Sequence, residues 1–95
     1  MKRTIDKLRE FVRLQDYGIS THANEEMSND ELMAIDVENA ILTGKIVKRF
    51  TKDVRGTRYE VVGEACDNRP IAIVCRILQP GHLIIITVYA LQVER

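Results

Sequence analysis

The sequence has only two cysteines and no long apolar run, and each shortage excludes a class of protein. Cys66 and Cys75 do not form a Cys-x-x-Cys pair, and only His22 and His82 could join them around a metal. We therefore expect free, partly buried thiols and no structural zinc site. The longest apolar run is far too short to span a bilayer, and the N-terminus has no signal-peptide core. We expect a cytoplasmic protein with no membrane segment.

Motifs of catalysis and cofactor binding are also missing. The chain has no Gly-rich phosphate loop, no carboxylate pair and no Gly-x-Ser-x-Gly. No second histidine is placed to activate Ser20, Cys66 or Cys75 as a nucleophile. The sequence therefore argues against hydrolysis through a covalent intermediate, and we expect no cofactor.

The formal net charge is zero, but the charges are unevenly spread. Residues 1–44 carry five Lys or Arg against nine Asp or Glu, and residues 45–95 carry nine against five. The positive charge concentrates in one stretch that only Asp53 interrupts: Lys45, Lys48, Arg49, Lys52, Arg55 and Arg58. Such a stretch either binds nucleic-acid phosphates or belongs to a solvated edge strand whose cations prevent aggregation.

What the sequence does have is a change of hydrophobic period at Gly44. Before it, residues 4–17 have the spacing of an amphipathic helix, a second helical segment begins at Ser20 or Thr21, and a third helix ends at the glycine. After it, the pattern predicts four strands, over residues 46–50, 58–65, 70–78 and 83–91.

Helices followed by strands, rather than alternating with them, predict an α+β fold. We expect a single domain over residues 1–95, with the N-terminal helices packed on one face of a four-stranded antiparallel sheet. Short turn signals at Asp67-Asn68 and Pro80-Gly81 predict that the last three strands form a meander.

Two-residue turns at these positions would fix which side chains share a face of the sheet. The face beneath the helices would carry Arg58, Val62, Ile71, Ile73, Cys75, Ile77, Ile84, Ile86 and Val88. The opposite face would carry Tyr59, Val61, Val74, Arg76, Ile85, Thr87 and Tyr89. A loop one residue longer would reverse this assignment.

Arg76 interrupts an apolar strand, and such an arginine either reaches solvent along its own stem or waits for an anion. With Thr87 and Tyr89 on the same predicted face, it would offer a guanidinium fork to a phosphate, and the hydroxyls could relay protons. The alternative is a structural polar patch.

His22 lies near the start of the second helical segment, where the positive end of the helix disfavours an imidazolium. The side chain would then be neutral and able to accept a proton, unless Glu25 and Glu26 hold it charged. A further alternative is that His22 only packs beneath the first helix.

Several short motifs together resemble a bacterial family catalogued as domain of unknown function 4258. The resemblance covers about residues 19–90, and it leaves a first helix over residues 1–18 as an addition to a core over residues 19–91. The matching pieces are His22-Ala23, Met27, Asp36-Val37-Glu38, Ala40-Ile41, Gly44, Arg58-Tyr59, Gly63, Arg69-Pro70 and Thr87-Val88-Tyr89.

That family is similar to the RelE-like ribonuclease toxins. The resemblance implies helices on a curved antiparallel sheet, metal-independent RNA cleavage through the 2′-hydroxyl, and a cognate antitoxin of zinc-finger or helix-turn-helix type. We expect His22, Arg76, Thr87 and Tyr89 to be the catalytic groups; of these, Arg76 comes from the face assignment rather than from the resemblance. The residues expected to hold the RNA backbone are Lys45, Lys48, Arg49, Lys52, Arg55, Arg58 and Arg69.

One position departs from the family pattern. Glu26 stands where the family usually has an arginine, and a carboxylate there repels phosphate. This departure and the zero net charge favour an alternative, in which the fold is kept but acts as a non-catalytic module that binds protein or nucleic acid. A third alternative is a homodimer that associates through the apolar edge at residues 83–91.

Overall fold

Helices occupy most of the N-terminal half of the chain, and strands occupy most of the C-terminal half. The computed structural model describes residues 2–79 and 81–92. In chain order the elements are α1 (Thr4–Arg13), β1 (Tyr17–Ile19), α2 (Thr21–Asn29), α3 (Ala34–Thr43), β2 (Lys45–Phe50), β3 (Arg58–Glu64), β4 (Pro70–Leu78) and β5 (His82–Ala90). The predicted α+β class is confirmed.

The strands form one sheet in the order β1-β5-β4-β3-β2. Strands β2 to β5 are antiparallel neighbours, but β1 adds a fifth strand that runs parallel to β5. The prediction of a four-stranded, purely antiparallel sheet is therefore wrong. The error comes from the predicted length of the first helix. That helix ends at Arg13 rather than continuing to residue 17, because Gln15 turns the backbone with a φ of 58°. Residues 17–19 are then free to pair with β5.

Side-chain caps fix where two of the helices begin. Ser20 Oγ accepts a hydrogen bond of 3.0 Å from the Ala23 N–H at the start of α2. The Asp36 carboxylate accepts one of 2.8 Å from the Met33 N–H at the start of α3. It also accepts the Cys66 N–H at 2.9 Å, which ties α3 to the turn after β3. No helix in the described part of the chain is long and apolar enough to cross a membrane.

The helices cover one face of the sheet, which we call the helix face. Helix α3 lies over β3 and β4, α2 runs along β5, and α1 packs on α3. The core joins Leu8, Val12, Ala23, Met27, Val37, Ala40 and Ile41 of the helices to Val61, Ile71, Ile73, Cys75, Ile85 and Val88 of the sheet. Where α3 and β3 meet, a Cβ at position 63 would lie 2.1 Å from the Ala40 carbonyl oxygen, so the close approach requires Gly63.

The opposite face, which we call the open face, carries the polar side chains of the sheet. The strand registers place on it Arg58, Glu60, Val62, Val74, Arg76, Ile84, Thr87 and Tyr89. The predicted positions of Arg76, Thr87 and Tyr89 on one face, with Ile73 and Cys75 on the other, are confirmed. The predicted faces of Tyr59, Val61, Ile85, Arg58, Val62 and Ile84 are wrong, because each lies on the side opposite to its assignment.

The lengths of the loops explain these errors. The Ala65 N–H donates to the Arg69 carbonyl at 2.9 Å, so the loop between β3 and β4 has three residues, and Asn68 adopts a φ of 70° in it. The added residue exchanges the faces of β3. Strand β5 begins with the same one-residue shift, and a bulge opposite Val74 and Cys75 cancels it, so that only the second half of β5 has the predicted faces.

Candidate functional site

Arg76 lies on the open face of β4 and is almost completely buried. Its side chain is 9% exposed, and Nη2 donates a hydrogen bond of 2.6 Å to the Asp53 carboxylate. Asp53 belongs to the loop between β2 and β3, residues 51–57, which folds over the sheet to reach the arginine. The arginine that interrupts the apolar strand therefore has an internal partner.

Three arginines surround that single carboxylate, and we call Arg55, Arg58 and Arg76 the arginine cluster. The Nε atoms of Arg55 and Arg58 lie 3.6 and 3.4 Å from the carboxylate oxygens of Asp53, and the Arg55 backbone N–H donates to it at 2.9 Å. That N–H, followed by the charge of Arg76, holds the pKa of Asp53 below its ordinary value. Three positive charges face one negative charge, so the cluster has an excess of positive charge.

Two donors of the arginine cluster have no acceptor in the part of the chain that the structure describes. The Nε atoms of Arg58 and Arg76 are buried and make no hydrogen bond within the described residues. Buried polar groups in proteins are nearly always hydrogen-bonded, because an unpaired one retains its full desolvation cost. The cluster can therefore accept an anion with more oxygens than one carboxylate supplies.

An aromatic ring extends this basic surface along β2. The Arg58 guanidinium lies 5.0 Å from the centre of the Phe50 ring, and the Lys48 ammonium lies 5.9 Å from it. Lys48 and Phe50 share the open face, whereas Arg49 pairs with Tyr59 and lies on the helix side. The exposed cations of the stretch are Lys45, Lys48, Arg49, Lys52 and Arg55.

A hydroxyl and a carboxylate meet on the open face beside the arginine cluster. The Tyr89 hydroxyl donates to Glu60 at 3.4 Å, across β4. Thr87 lies in the same row, because it and Glu60 both pair with Val74. Burial, followed by the charge of Glu60, raises the pKa of Tyr89, so its hydroxyl stays protonated at neutral pH.

His22 is held on α2, beside the edge of β5. Its Nε2 lies 3.3 Å from Oε1 of Glu26, and that oxygen accepts the Val88 N–H at 3.1 Å. The imidazole side chain is 65% exposed, so it does not pack beneath α1. Within the described residues no hydrogen bond joins it to Arg76 or Tyr89. Arg76, Thr87 and Tyr89 are thus on one face, and His22 stands at the edge of the sheet with its acidic neighbour.

Arg69 is bound by the protein itself. Its guanidinium donates to the carbonyl oxygens of Asp30 at 2.7 Å and Glu31 at 3.0 Å, and Nε pairs with Asp67 at 2.7 Å. These contacts tie the end of α2 to the loop between β3 and β4, at the opposite end of β3 from residues 51–57. The structure therefore separates Arg69 from the other predicted phosphate contacts.

Two acidic residues of the site are missing from the sequence-based prediction. Asp53 is visible in the sequence as the single acid within the basic stretch, but its contact with Arg76 spans 23 positions. Glu60 alternates with Arg58 along β3, and only the correct register places it opposite Val74 and near Tyr89. Neither residue belongs to a motif with a fixed spacing.

Metal ligands do not cluster in the described part of the chain. No group of three or more His, Cys, Asp or Glu side chains there could hold a metal ion. Both thiols are free; Cys66 is exposed, and burial raises the pKa of Cys75 to about 12.

Comparison with known proteins gives one match. A family model described as "Domain of unknown function (DUF4258)" matches residues 19–90, which include α2, α3 and strands β2 to β5 but only the last residue of β1, and which leave α1 outside. No curated protein and no solved structure matches the chain.

Proposed function

We propose that this chain, which belongs to the DUF4258 family, is an RNA-cleaving domain of RelE-like type and the toxin of a two-gene module. One observation carries the proposal: cationic, acidic and hydroxyl side chains gather on the open face of the sheet. Arg58 pairs with Arg76 there, Glu60 and Thr87 both pair with the nearby Val74, and the Tyr89 hydroxyl reaches Glu60. These are the kinds of group that a phosphodiester transfer requires.

The basic strand β2 would bind the RNA chain. Lys45 and Lys48 are exposed on the open face and can neutralise backbone phosphates. Phe50, between Lys48 and Arg58, offers a ring on which an unpaired base can stack. A cationic surface with an aromatic ring on which a base can stack favours single-stranded RNA over a folded duplex.

The proposed reaction is attack of a ribose 2′-hydroxyl on the adjacent phosphorus. The bond from the 2′-oxygen to phosphorus forms while the bond from phosphorus to the 5′-oxygen breaks, which leaves a 2′,3′-cyclic phosphate and a 5′-hydroxyl. Glu60 would take the 2′ proton, and Tyr89 would protonate the leaving oxygen, since the raised pKa of Tyr89 keeps its hydroxyl protonated. Arg58 and Arg76 would stabilise the charge that develops on the phosphate.

The remaining predicted groups have lesser parts in this scheme. Thr87 lies in the row of Glu60 and would position the ribose. His22 stands beside Glu26 at the edge of β5, where it would act on a nucleotide next to the cleaved one. Partners and location are also proposals: a cognate antitoxin of zinc-finger or helix-turn-helix type, and the bacterial cytoplasm.

A second candidate function is an RNA-binding or protein-binding module without catalysis. It is favoured by the contact of Asp53 with Arg76, which places a carboxylate where the reaction needs a free guanidinium. The zero net charge also favours it. Expression without the antitoxin separates the two functions, because a toxin stops growth and a binding module does not.

The direct test is cleavage of labelled RNA by purified protein in the presence of a metal chelator. We expect cleavage by the wild type and none by Arg76→Ala. The control is Arg13→Ala, which removes the same charge from an exposed position on α1. Equal cleavage by Arg76→Ala and wild type would overturn the mechanism. RNA binding without cleavage by the wild type would favour the second candidate function.

A further inference from the structure

The Asp53 carboxylate holds the arginine cluster in the way that a phosphate would. Its Oδ2 accepts the Arg76 Nη2 at 2.6 Å and lies 3.4 Å from the Arg58 Nε, while Oδ1 lies 3.6 Å from the Arg55 Nε. Carboxylates and the two non-bridging oxygens of a phosphodiester bind guanidinium groups in the same fork geometry. A phosphodiester could therefore replace Asp53 between Arg58 and Arg76, which stand on β3 and β4 and need not move.

The carboxylate does not satisfy the cluster. The buried Nε atoms of Arg58 and Arg76 have no hydrogen-bond partner in the described residues, and the Arg76 side chain is 9% exposed. One negative charge also leaves an excess of positive charge among the three guanidinium groups. The two non-bridging oxygens of a phosphodiester carry its charge on a tetrahedral centre, so once Asp53 leaves they can approach donors that the carboxylate leaves unpaired.

The loop that carries Asp53 is weakly attached to the rest of the protein. Val54 at its tip is fully exposed, and Lys52, Arg55 and Gly56 are exposed as well. Two of its hydrogen bonds are internal: the Arg55 N–H donates to the Asp53 side chain, and the Gly56 N–H donates to the Asp53 carbonyl. A segment with so little buried surface opens at a low free-energy cost. The ion pairs of Asp53 with Arg76 and Arg58 join the loop to the sheet and would resist opening.

We propose that Arg58 and Arg76 of the sheet form a phosphodiester site that Asp53 occupies in the free protein, so that residues 51–57 form a latch which an RNA phosphate must displace. The inference rests on the proposed function, because RNA supplies the phosphodiester. The apparent affinity for RNA is the affinity of the open form multiplied by the fraction of molecules in which the loop is open. The latch keeps that fraction small and therefore lowers the apparent affinity. It also keeps the charge of Arg76 compensated until RNA arrives.

Binding of a fluorescein-labelled, single-stranded oligouridine tests the latch by anisotropy. We expect Asp53→Asn to bind about tenfold more tightly than the wild type, because the site no longer contains a competing anion. The matched control is Asp67→Asn, which removes the same charge from another arginine-bound carboxylate, 2.7 Å from Arg69. We expect this control to stay within about twofold of the wild type, since one added charge raises nonspecific RNA binding only slightly.

Hydrogen exchange on the wild-type protein provides a second measurement that needs no variant. The amides of Arg55 and Gly56 donate to Asp53 within the loop, and the ion pair of Asp53 with Arg76 holds this turn in place. A loop released from Arg76 can open these two bonds more often, which exposes the amides to solvent. We expect both amides to exchange faster when oligouridine is added at a saturating concentration. Unchanged or slower exchange in the RNA complex would overturn the latch, even if Asp53→Asn failed to fold.

Inorganic phosphate separates failure of the latch from failure of the proposed function. A ligand that binds only the folded state raises the melting temperature. We expect inorganic phosphate to raise it more for Asp53→Asn than for the wild type, because the wild-type site already contains the Asp53 carboxylate. Equal RNA affinity of the wild type and Asp53→Asn would overturn the latch and leave the RNA function intact. A phosphate response of Asp53→Asn without RNA binding by any variant would overturn the proposed function and support an anion site that Asp53 fills.

Discussion

The Glu26 carboxylate accepts a hydrogen bond of 3.1 Å from the backbone N–H of Val88. One helical turn later, the Asp30 carboxylate accepts the Ala90 N–H at 3.2 Å. Strand β1 pairs with only the first half of β5, at residues 83–85, so the second half would otherwise have unpaired N–H groups at the edge. Helix α2 supplies the acceptors from its side chains, and the edge of the sheet is closed without another strand.

This contact gives a structural reason for the acidic residue at position 26. An arginine at this position would have no acceptor for the Val88 N–H. Electrostatic repulsion of a phosphate is therefore not the only consequence of Glu26. In this chain the residue joins α2 to β5, and its second contact is with His22 at 3.3 Å.

Replacing Glu26 tests this role. We expect Glu26→Ala to lower the free energy of unfolding by about 1–3 kcal/mol, because the buried Val88 N–H loses its acceptor. Glu26→Gln should lose less stability, since its amide oxygen can still accept the Val88 N–H. Urea denaturation measures the difference, and Glu25→Ala, an exposed neighbour on α2, is the control. Similar losses for the two alanine variants would contradict the role.

Removing one hydroxyl tests the assignment of Tyr89. We expect Tyr89→Phe to reduce RNA cleavage by about a hundredfold or more, because the proton donor to the leaving oxygen is lost. The fold should be kept, since the ring remains. Tyr17→Phe is the control: it removes a hydroxyl that is also bound to a glutamate, Glu38, but lies on the helix side. Single-turnover cleavage rates compare the two, and equal rates would exclude Tyr89 as the acid.

The order and class of the elements could be predicted from the sequence because they depend on local patterns. The spacing of apolar residues predicted the helices, and the alternation of apolar and polar residues predicted the four longer strands. Strand β1 could not be predicted in this way, since three residues are too few to show a period of two. Its existence depends on where α1 stops and on the free edge of β5.

The site was less predictable than the fold because it depends on register. The alternating pattern of β3 fits either face, and the length of the loop decided between them when Asn68 took a left-handed conformation. Arg76, Thr87 and Tyr89 were assigned correctly, since the bulge in β5 cancels the shift before Thr87. The contact of Asp53 with Arg76 could not be predicted, because a loop side chain reaches across the sheet and no local period encodes it.

Acid should weaken one specific connection between helix and sheet. The backbone N–H groups of Met33 and Cys66 hold the pKa of Asp36 below its ordinary value of 3.8. The folded protein therefore binds this proton less readily than the unfolded chain does. The stabilisation is complete above the unfolded pKa and is lost as the pH falls through the lowered pKa.

The measurement compares the wild type with Asp36→Asn by urea denaturation. Near neutral pH we expect the variant to be less stable by about 1–3 kcal/mol, because one amide oxygen replaces two carboxylate oxygens between two donors. The difference should shrink as the pH falls below the ordinary value of 3.8 and through the lowered pKa of Asp36, because the wild-type carboxylate then becomes protonated. A difference that stays constant with pH would show that the charge of Asp36 is not involved.

The last prediction concerns the close packing of α3 on β3. At position 63 an added Cβ would lie 2.1 Å from the Ala40 carbonyl oxygen and 2.9 Å from its Cα, which are backbone atoms that cannot rotate away. Gly63→Ala must therefore push α3 off the sheet, and we expect a loss of stability of about 1–3 kcal/mol or more.

The control is at Gly81, where an added Cβ would meet nothing within 4 Å. Gly81→Ala should leave stability unchanged or raise it by about 0.4–1 kcal/mol, because it restricts only the unfolded chain. Opposite effects of one methyl group at two glycines, measured by thermal unfolding, would distinguish a steric requirement from a general effect of losing glycine. Equal effects would contradict the close contact between Gly63 and Ala40.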